Sequence, residues 1–111
     1  MQFVLPDSQK IEGVLVLPLD EIVDELKLER VDFIKMDIEG SEREALQGAR
    51  KTLARFKPRM AICTYHMRDD VIAIPTVTKE AYPGYQIHAK DIEAMRTSSG
   101  VEFRTKVLFF H

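Results

Sequence analysis

Four carboxylates, Asp37, Glu39, Glu42 and Glu44, fall within the stretch KMDIEGSEREAL, around a glycine at position 40. Oxygen atoms at that density read either as a site or as the ordinary start of a helix. Ser41 and Glu44 have the S-x-x-E spacing of a capping box, and Glu42 sits in the first turn, where the helix dipole favours negative charge. These three therefore read as helix-capping groups. Gly40 suits a sharp strand-to-helix turn. Asp37 and Glu39 close the apolar run FIKM, at the carboxyl end of a strand, where open α/β sheets place their ligands. They are either site residues or carboxylates that stabilise the fold by bonding loop amides. A calcium loop of the EF-hand kind is excluded, because DIEGSE has glycine at its fourth position and lacks the twelve-residue ligand spacing.

His66 follows Tyr65 at the end of another apolar run, whereas His88 and His111 have no partner in the sequence and read as surface or strand residues. The one cysteine, Cys63, lies inside RMAICTY, so no internal disulfide can form and the thiol reads as buried and structural. No H-E-x-x-H, C-x-x-C, G-x-S-x-G or P-loop pattern occurs, and spacing alone assigns no metal ligand.

Strands and helices alternate around these residues. GVLVLPL (13–19) reads as a short strand, followed by a helix in which Leu19, Ile22, Val23 and Leu26 form a stripe for a sheet. RVDFIKMDI (30–38) is a second strand. A helix from Glu42 to Phe56 should bury Leu46, Ala49, Leu53 and Phe56 and stop at Pro58. PRMAICTYH (58–66) is a third strand. Asp69 or Asp70 caps a short turn, and Pro75 opens a helical segment running to Tyr82. YQIHAK and TKVLFFH are the last strands, VLFF being core, and the polar DIEAMRTSSG between them reads as a loop. The pattern predicts a single domain over 1–111, an α/β sheet of about five strands with right-handed crossovers and a C-terminal antiparallel hairpin.

At 111 residues, 45% hydrophobic and 31% charged, the chain has the composition of a soluble globular domain. A net charge of −2 with dispersed lysines and arginines gives no reason to bind nucleic acid or a membrane surface. No basic leader or bilayer-length apolar run is present, and a cytoplasmic location is expected.

Over LDEIVDELKLERVDFIKMDIEGSEREALQGARKTLARFKPRMAICTYHMRDDVIAIP the chain resembles the C-terminal half of the FkbM-type S-adenosylmethionine-dependent methyltransferases. The matching positions are Asp37, Glu39, Gly40 and Glu42 of a D-x-E-G-x-E motif, then Leu46, Gly48 and Ala49. Pro58, Ala61, Ile62, Tyr65 and His66 follow on a strand, with Asp70, Ile74 and Pro75 after it. The resemblance implies a Rossmann-like methyltransferase sheet, mostly parallel. It also implies catalytic roles for Asp37, Glu39 and His66: the acids would bind a hydroxyl or a hard cation, and the histidine would act as base. The implied activity is O-methylation of a small hydroxylated metabolite or a sugar.

The family's fold begins with a glycine-rich turn and an acid that hold the cofactor. Here glycines stand only at 13, 40, 48, 84 and 100, so no G-x-G turn exists. The resemblance therefore implies the C-terminal half of the fold, with S-adenosylmethionine not held by this chain alone and the isolated chain inactive. The alternative is a non-catalytic module for dimerisation or partner binding. Two arrangements would cover the sheet edge left bare: the strand at 14–17 moving in beside 31–38, or two copies pairing there. The first is favoured, with a homodimer covering the remaining apolar surface and, in the module reading, a partner chain supplying the cofactor half.

Overall fold

The computed structural model describes residues 10–11 and 14–111; Gly13, expected at the head of the first strand, lies outside them. Two short strands, β1 (Lys10–Ile11) and β2 (Val14–Leu15), pair antiparallel as a separate ribbon. Helix α1 (Leu19–Leu26), strand β3 (Phe33–Met36), helices α2 (Glu42–Gln47) and α3 (Arg50–Phe56) and strand β4 (Arg59–Cys63) follow. The chain continues through helix α4 (Asp70–Ala81) and ends in strands β5 (Ile87–Thr97) and β6 (Gly100–Phe110). The main sheet has the order β3-β4-β6-β5, with β3 and β4 parallel and the other pairings antiparallel. It is the mixed α/β architecture expected, parallel at its start and ending in a hairpin.

The first strand does not join this sheet. Only two of its residues pair, and they pair locally with β1. That contact closes a very short loop and so costs little chain entropy. Pro18 then sets an extended residue ahead of α1. Helix α1 packs mainly on α3, with Val23 as its buried residue and Leu19 against the edge of the core.

The helix expected over Glu42–Phe56 is broken at Gly48 and Ala49, and α1 is the cause. The Gly48 carbonyl accepts the Asp20 N–H at 2.9 Å, while the Asp20 carboxylate accepts the N–H groups of Lys51 at 3.1 Å and Thr52 at 2.8 Å. Asp20 thus caps α3 from a distant helix, in place of the Ala49 side chain, which has no oxygen to offer. A Cβ on Gly48 would stand 3.0 Å from the Pro18 Cβ, so glycine permits this approach.

Three further expectations are corrected. Pro75 lies inside one continuous helix and does not begin a second one. The Thr76 and Thr78 hydroxyls bond back to the Ile72, Ile74 and Pro75 carbonyls, satisfying acceptors around the proline. The segment DIEAMRTSSG is mostly strand, because residues 92–97 pair in register with 100–105 and Ser98 and Ser99 form a two-residue turn into Gly100, at φ 134°. An arm that overhangs its sheet can be polar on both faces, which is why its composition resembles a loop. Finally, Cys63 is half-buried at a strand end and not a core residue.

The core lies between the sheet and α2, α3 and α4, where Leu46, Ala49, Leu53, Met60, Ile62, Ile74, Leu108 and Phe110 are buried. Strand alternation sends Val107 and Phe109 to the opposite face, so only half of VLFF is core, and Phe56 is half-buried. Among the described residues nothing layers that opposite face. Phe33 is 56% exposed on it and Phe103 75%.

Candidate functional site

The site forms where β3 and β4, running parallel, release their chains at the same end of the sheet. After Met36 the backbone makes a tight turn, with the Ser41 N–H bonded to the Ile38 carbonyl at 3.2 Å. Both central residues have positive φ, 58° at Glu39 and 99° at Gly40. Gly40 accepts that geometry freely. Glu39 does not, and a non-glycine residue there stores strain of roughly 1 kcal/mol or more.

Glu42 holds the turn. Its side chain is 1% exposed, and its two carboxylate oxygens accept the Ile38 N–H at 3.1 Å and the Gly40 N–H at 3.0 Å. The capping expectation is thus corrected: Ser41 occupies the N-cap position without a side-chain bond, Glu44 is exposed, and Glu42 binds the loop amides.

From β4 comes the second half. His66 Nε2–H donates to Asp37 Oδ1 at 2.7 Å, Nε2 is also 3.6 Å from Glu42 Oε1, and Nδ1 lies 3.9 Å from Glu39 Oε2. The Tyr65 hydroxyl donates to Asp37 at 3.3 Å and its ring packs on the imidazole with centroids 4.1 Å apart. The loop after them is fastened to α2, since Arg43 bonds Asp70 at 2.9 Å and pairs with Asp69. Asp70 also accepts the Met67 N–H at 3.0 Å.

The electrostatics follow from this geometry. The hydrogen bond to Asp37 raises the His66 pKa above its usual value against the opposing effect of burial, with the Glu42 and Glu39 charges adding to the rise. The same bond from His66 holds the Asp37 carboxyl below its usual range. Burial and the Asp37 charge push the Tyr65 phenol up. With Nε2–H committed to Asp37, Nδ1 is the imidazole atom left to accept a proton, a carboxylate–histidine arrangement that fixes tautomer and orientation.

All three residues singled out from the sequence, Asp37, Glu39 and His66, meet here. Glu39 is the outlier, 87% exposed and at the edge of contact. Glu42 and Tyr65 belong to the site although the sequence reading gives them no role in it. One donor atom each from Asp37, Glu42 and His66 lie within 4.8 Å of one another, a spacing at which a small cation could stand in place of the shared proton. His88 and His111 stack on each other at the far end of the sheet.

Tyr65 also walls a cavity of about 500 Å³, completed by Glu93 and Met95 of β5 and Arg104 and Lys106 of β6. No glycine lines it. Gly40 packs beside Met67 and His66, Gly48 against Pro18 and Gly84 against Tyr82, while Gly100 sits at the hairpin tip. Among the described residues, no glycine-rich turn of the kind that cradles a nucleoside cofactor is present.

The family model of the methyltransferase FkbM domain matches residues 7–97. Among solved structures, the chain is similar to the methyltransferase FkbM from Methylobacillus flagellatus KT, at 32% identity and a TM-score of 0.59. That match covers 80% of this chain and 22% of the Methylobacillus protein, so the chain spans about a fifth of its relative's length. No curated protein matches the chain.

Proposed function

We propose, since the chain belongs to the methyltransferase FkbM family, that it provides the acceptor-side proton chemistry of an O-methyltransferase acting on a small hydroxylated metabolite or a sugar. The observation that carries this reading is the 2.7 Å bond between His66 and Asp37 at the carboxyl end of parallel strands. Asp37 orients the imidazole and stabilises its protonated form. His66 Nδ1 takes the proton of the acceptor hydroxyl, and Tyr65 closes the site toward the cavity. S-adenosylmethionine is the methyl donor that family membership suggests. The described residues carry no glycine-rich turn for it, and in this reading its binding falls to residues outside them or to a partner chain. A cytoplasmic setting is part of the same reading, in keeping with the free thiol of Cys63. Among the described residues no helix is long and apolar enough to cross a membrane.

The test is transfer of labelled methyl from S-adenosylmethionine to hydroxylated sugars, with calorimetry of donor binding alongside. The isolated chain is expected neither to bind the donor nor to transfer. In the protein that does bind it, His66→Gln should lower kcat by roughly 10²–10⁴ with donor affinity unchanged. Undiminished transfer in that variant would defeat the reading.

A second reading, a non-catalytic module that pairs with another copy or another chain, draws on a sheet face carrying Phe33 and Phe103 and an edge of β3 that no other described residues cover or pair. Light scattering decides it. A monomer at high concentration would count against the homodimer.

A further inference from the structure

The β5–β6 arm extends past the carboxyl ends of β3 and β4. Val107–Phe110 of β6 pairs with β4, and among the described residues 100–105 continue outward with β5 as their sole strand partner. The arm therefore overhangs the Asp37–His66 end of the sheet. Its inner face continues the one that buries Leu108 and Phe110 under the helices, and beyond the helix layer that face becomes a shelf. The cavity beside Tyr65 stands on this shelf.

The lining is chemically mixed in a particular way. Tyr65 and Met95 offer apolar surface, while Arg104 and Lys106 bring two cations against one anion, Glu93. Lys106 pairs with Glu93 at 3.2 Å. Arg104 is served less well: its contact with Glu102 is 3.6 Å long, and Glu102 is also bonded by Arg68 at 3.0 Å. A guanidinium has five donors in a planar fork suited to carboxylate and phosphate, and among the described residues this one meets a carboxylate only through that stretched contact. Lys106 is the residue of the pair nearer the dyad. Its carbonyl accepts the Thr64 N–H at 2.9 Å, immediately before Tyr65, and Arg104 lies about 7 Å farther out along the strand. Two cations thus face the cavity side by side, in a chain whose net charge is −2.

We propose that this shelf is the acceptor subsite and that it takes an anionic group: the acceptor is a hydroxylated carboxylate or phosphate whose acid lies on Arg104 and Lys106 while its hydroxyl is directed past Tyr65 to the Asp37–His66 pair. The inference rests on the reading of that pair as the proton-accepting end. A cavity of about 500 Å³ is of monosaccharide to small-metabolite size, which agrees with an acceptor held at both ends.

Backbone amide spectra of the isotopically labelled chain, titrated with D-glucuronate, glucose 6-phosphate and D-glucose, test the subsite directly. The three probes share a ring, and they differ in carrying a carboxylate, a phosphate or no charge. Saturable shifts at Tyr65, Glu93, Met95 and Arg104 are expected with at least one charged sugar, roughly tenfold tighter than with glucose and weakened by salt. Which charged sugar binds tighter identifies the acid group. Arg104→Gln, checked for folding by its unchanged shifts at Leu46 and Ile62, should remove most of that roughly tenfold advantage and leave glucose unaffected. Equal behaviour of all three sugars, shifts located elsewhere, or an unchanged affinity in Arg104→Gln would overturn the proposal. Methyl transfer is scored separately with His66→Gln in the protein that binds the donor. Transfer that depends on His66 without charge-selective binding removes the subsite alone, and charge-selective binding with transfer indifferent to His66 removes the dyad alone.

Discussion

His66 Nε2 and Asp37 Oδ1 stand 2.7 Å apart although the two residues are 29 positions apart in the chain. Each leaves the end of a parallel strand, and the pairing of Met36 with Ile62 brings those ends together. Because the His66 pKa is raised in the fold, its contribution to stability is fully present below the unfolded value of about 6.5 and is lost as pH rises through the folded value. Asp37, held low by the same bond, contributes above its unfolded value of about 3.9, and that contribution is lost as pH falls through the lower folded value. The stability difference between the wild type and Asp37→Asn should therefore be largest between about pH 4 and pH 6.5 and shrink on both sides. Urea midpoints across that range measure it, and a difference that grows toward alkaline pH would contradict the assignment.

Glu42 should matter most to the fold. Truncation in Glu42→Ala would leave the Ile38 and Gly40 N–H groups without their acceptor and open a hole at a fully buried position. The expected cost is on the order of 3 kcal/mol, read as a lower urea midpoint at constant slope. A loss below about 1 kcal/mol would mean that water replaces the clamp.

Glu39 sets stability against function. At φ 58° it is strained, and among the described residues its carboxylate meets His66 alone as an ionic partner, at 3.9 Å. Glu39→Gly should raise stability by about 1 kcal/mol. The same change should lower the His66 pKa, since the Glu39 charge helps to raise it. Thermal melts and a histidine titration in one variant check both halves.

At the other end of the helix layer, Asp20 should behave as a cap for a helix it does not belong to. Asp20→Ala removes the acceptor for the Lys51 and Thr52 N–H groups and for the Thr52 hydroxyl. A destabilisation of about 1–2 kcal/mol is expected, with faster amide exchange at the start of α3 than at its end.

The sequence made some of this legible and hid the rest for identifiable reasons. The strand-turn-helix around Asp37 and the strand ending at His66 were readable from short apolar runs bounded by proline, glycine and acids, and the family motif named the three residues that meet. The role of Glu42 was not readable, because a glutamate in a first helical turn reads as capping whether it faces water or folds back under a loop. The break after Gly48 depends on Asp20, a contact across 31 positions that no local pattern reports. The outer arm of β5 and β6 buries little, so it lacks the apolar alternation by which strands are recognised, and with it Arg104 and Lys106 escaped notice.

The most direct measurement is the NMR titration of the His66 imidazole in the wild-type chain and in Asp37→Asn, followed at Nδ1 and Nε2. A wild-type pKa above the usual value, a neutral form carrying its proton on Nε2, and a fall in pKa when Asp37 is neutralised are expected. A wild-type pKa at or below the usual value, or one indifferent to Asp37→Asn, would show that the two residues do not act as a proton-accepting pair.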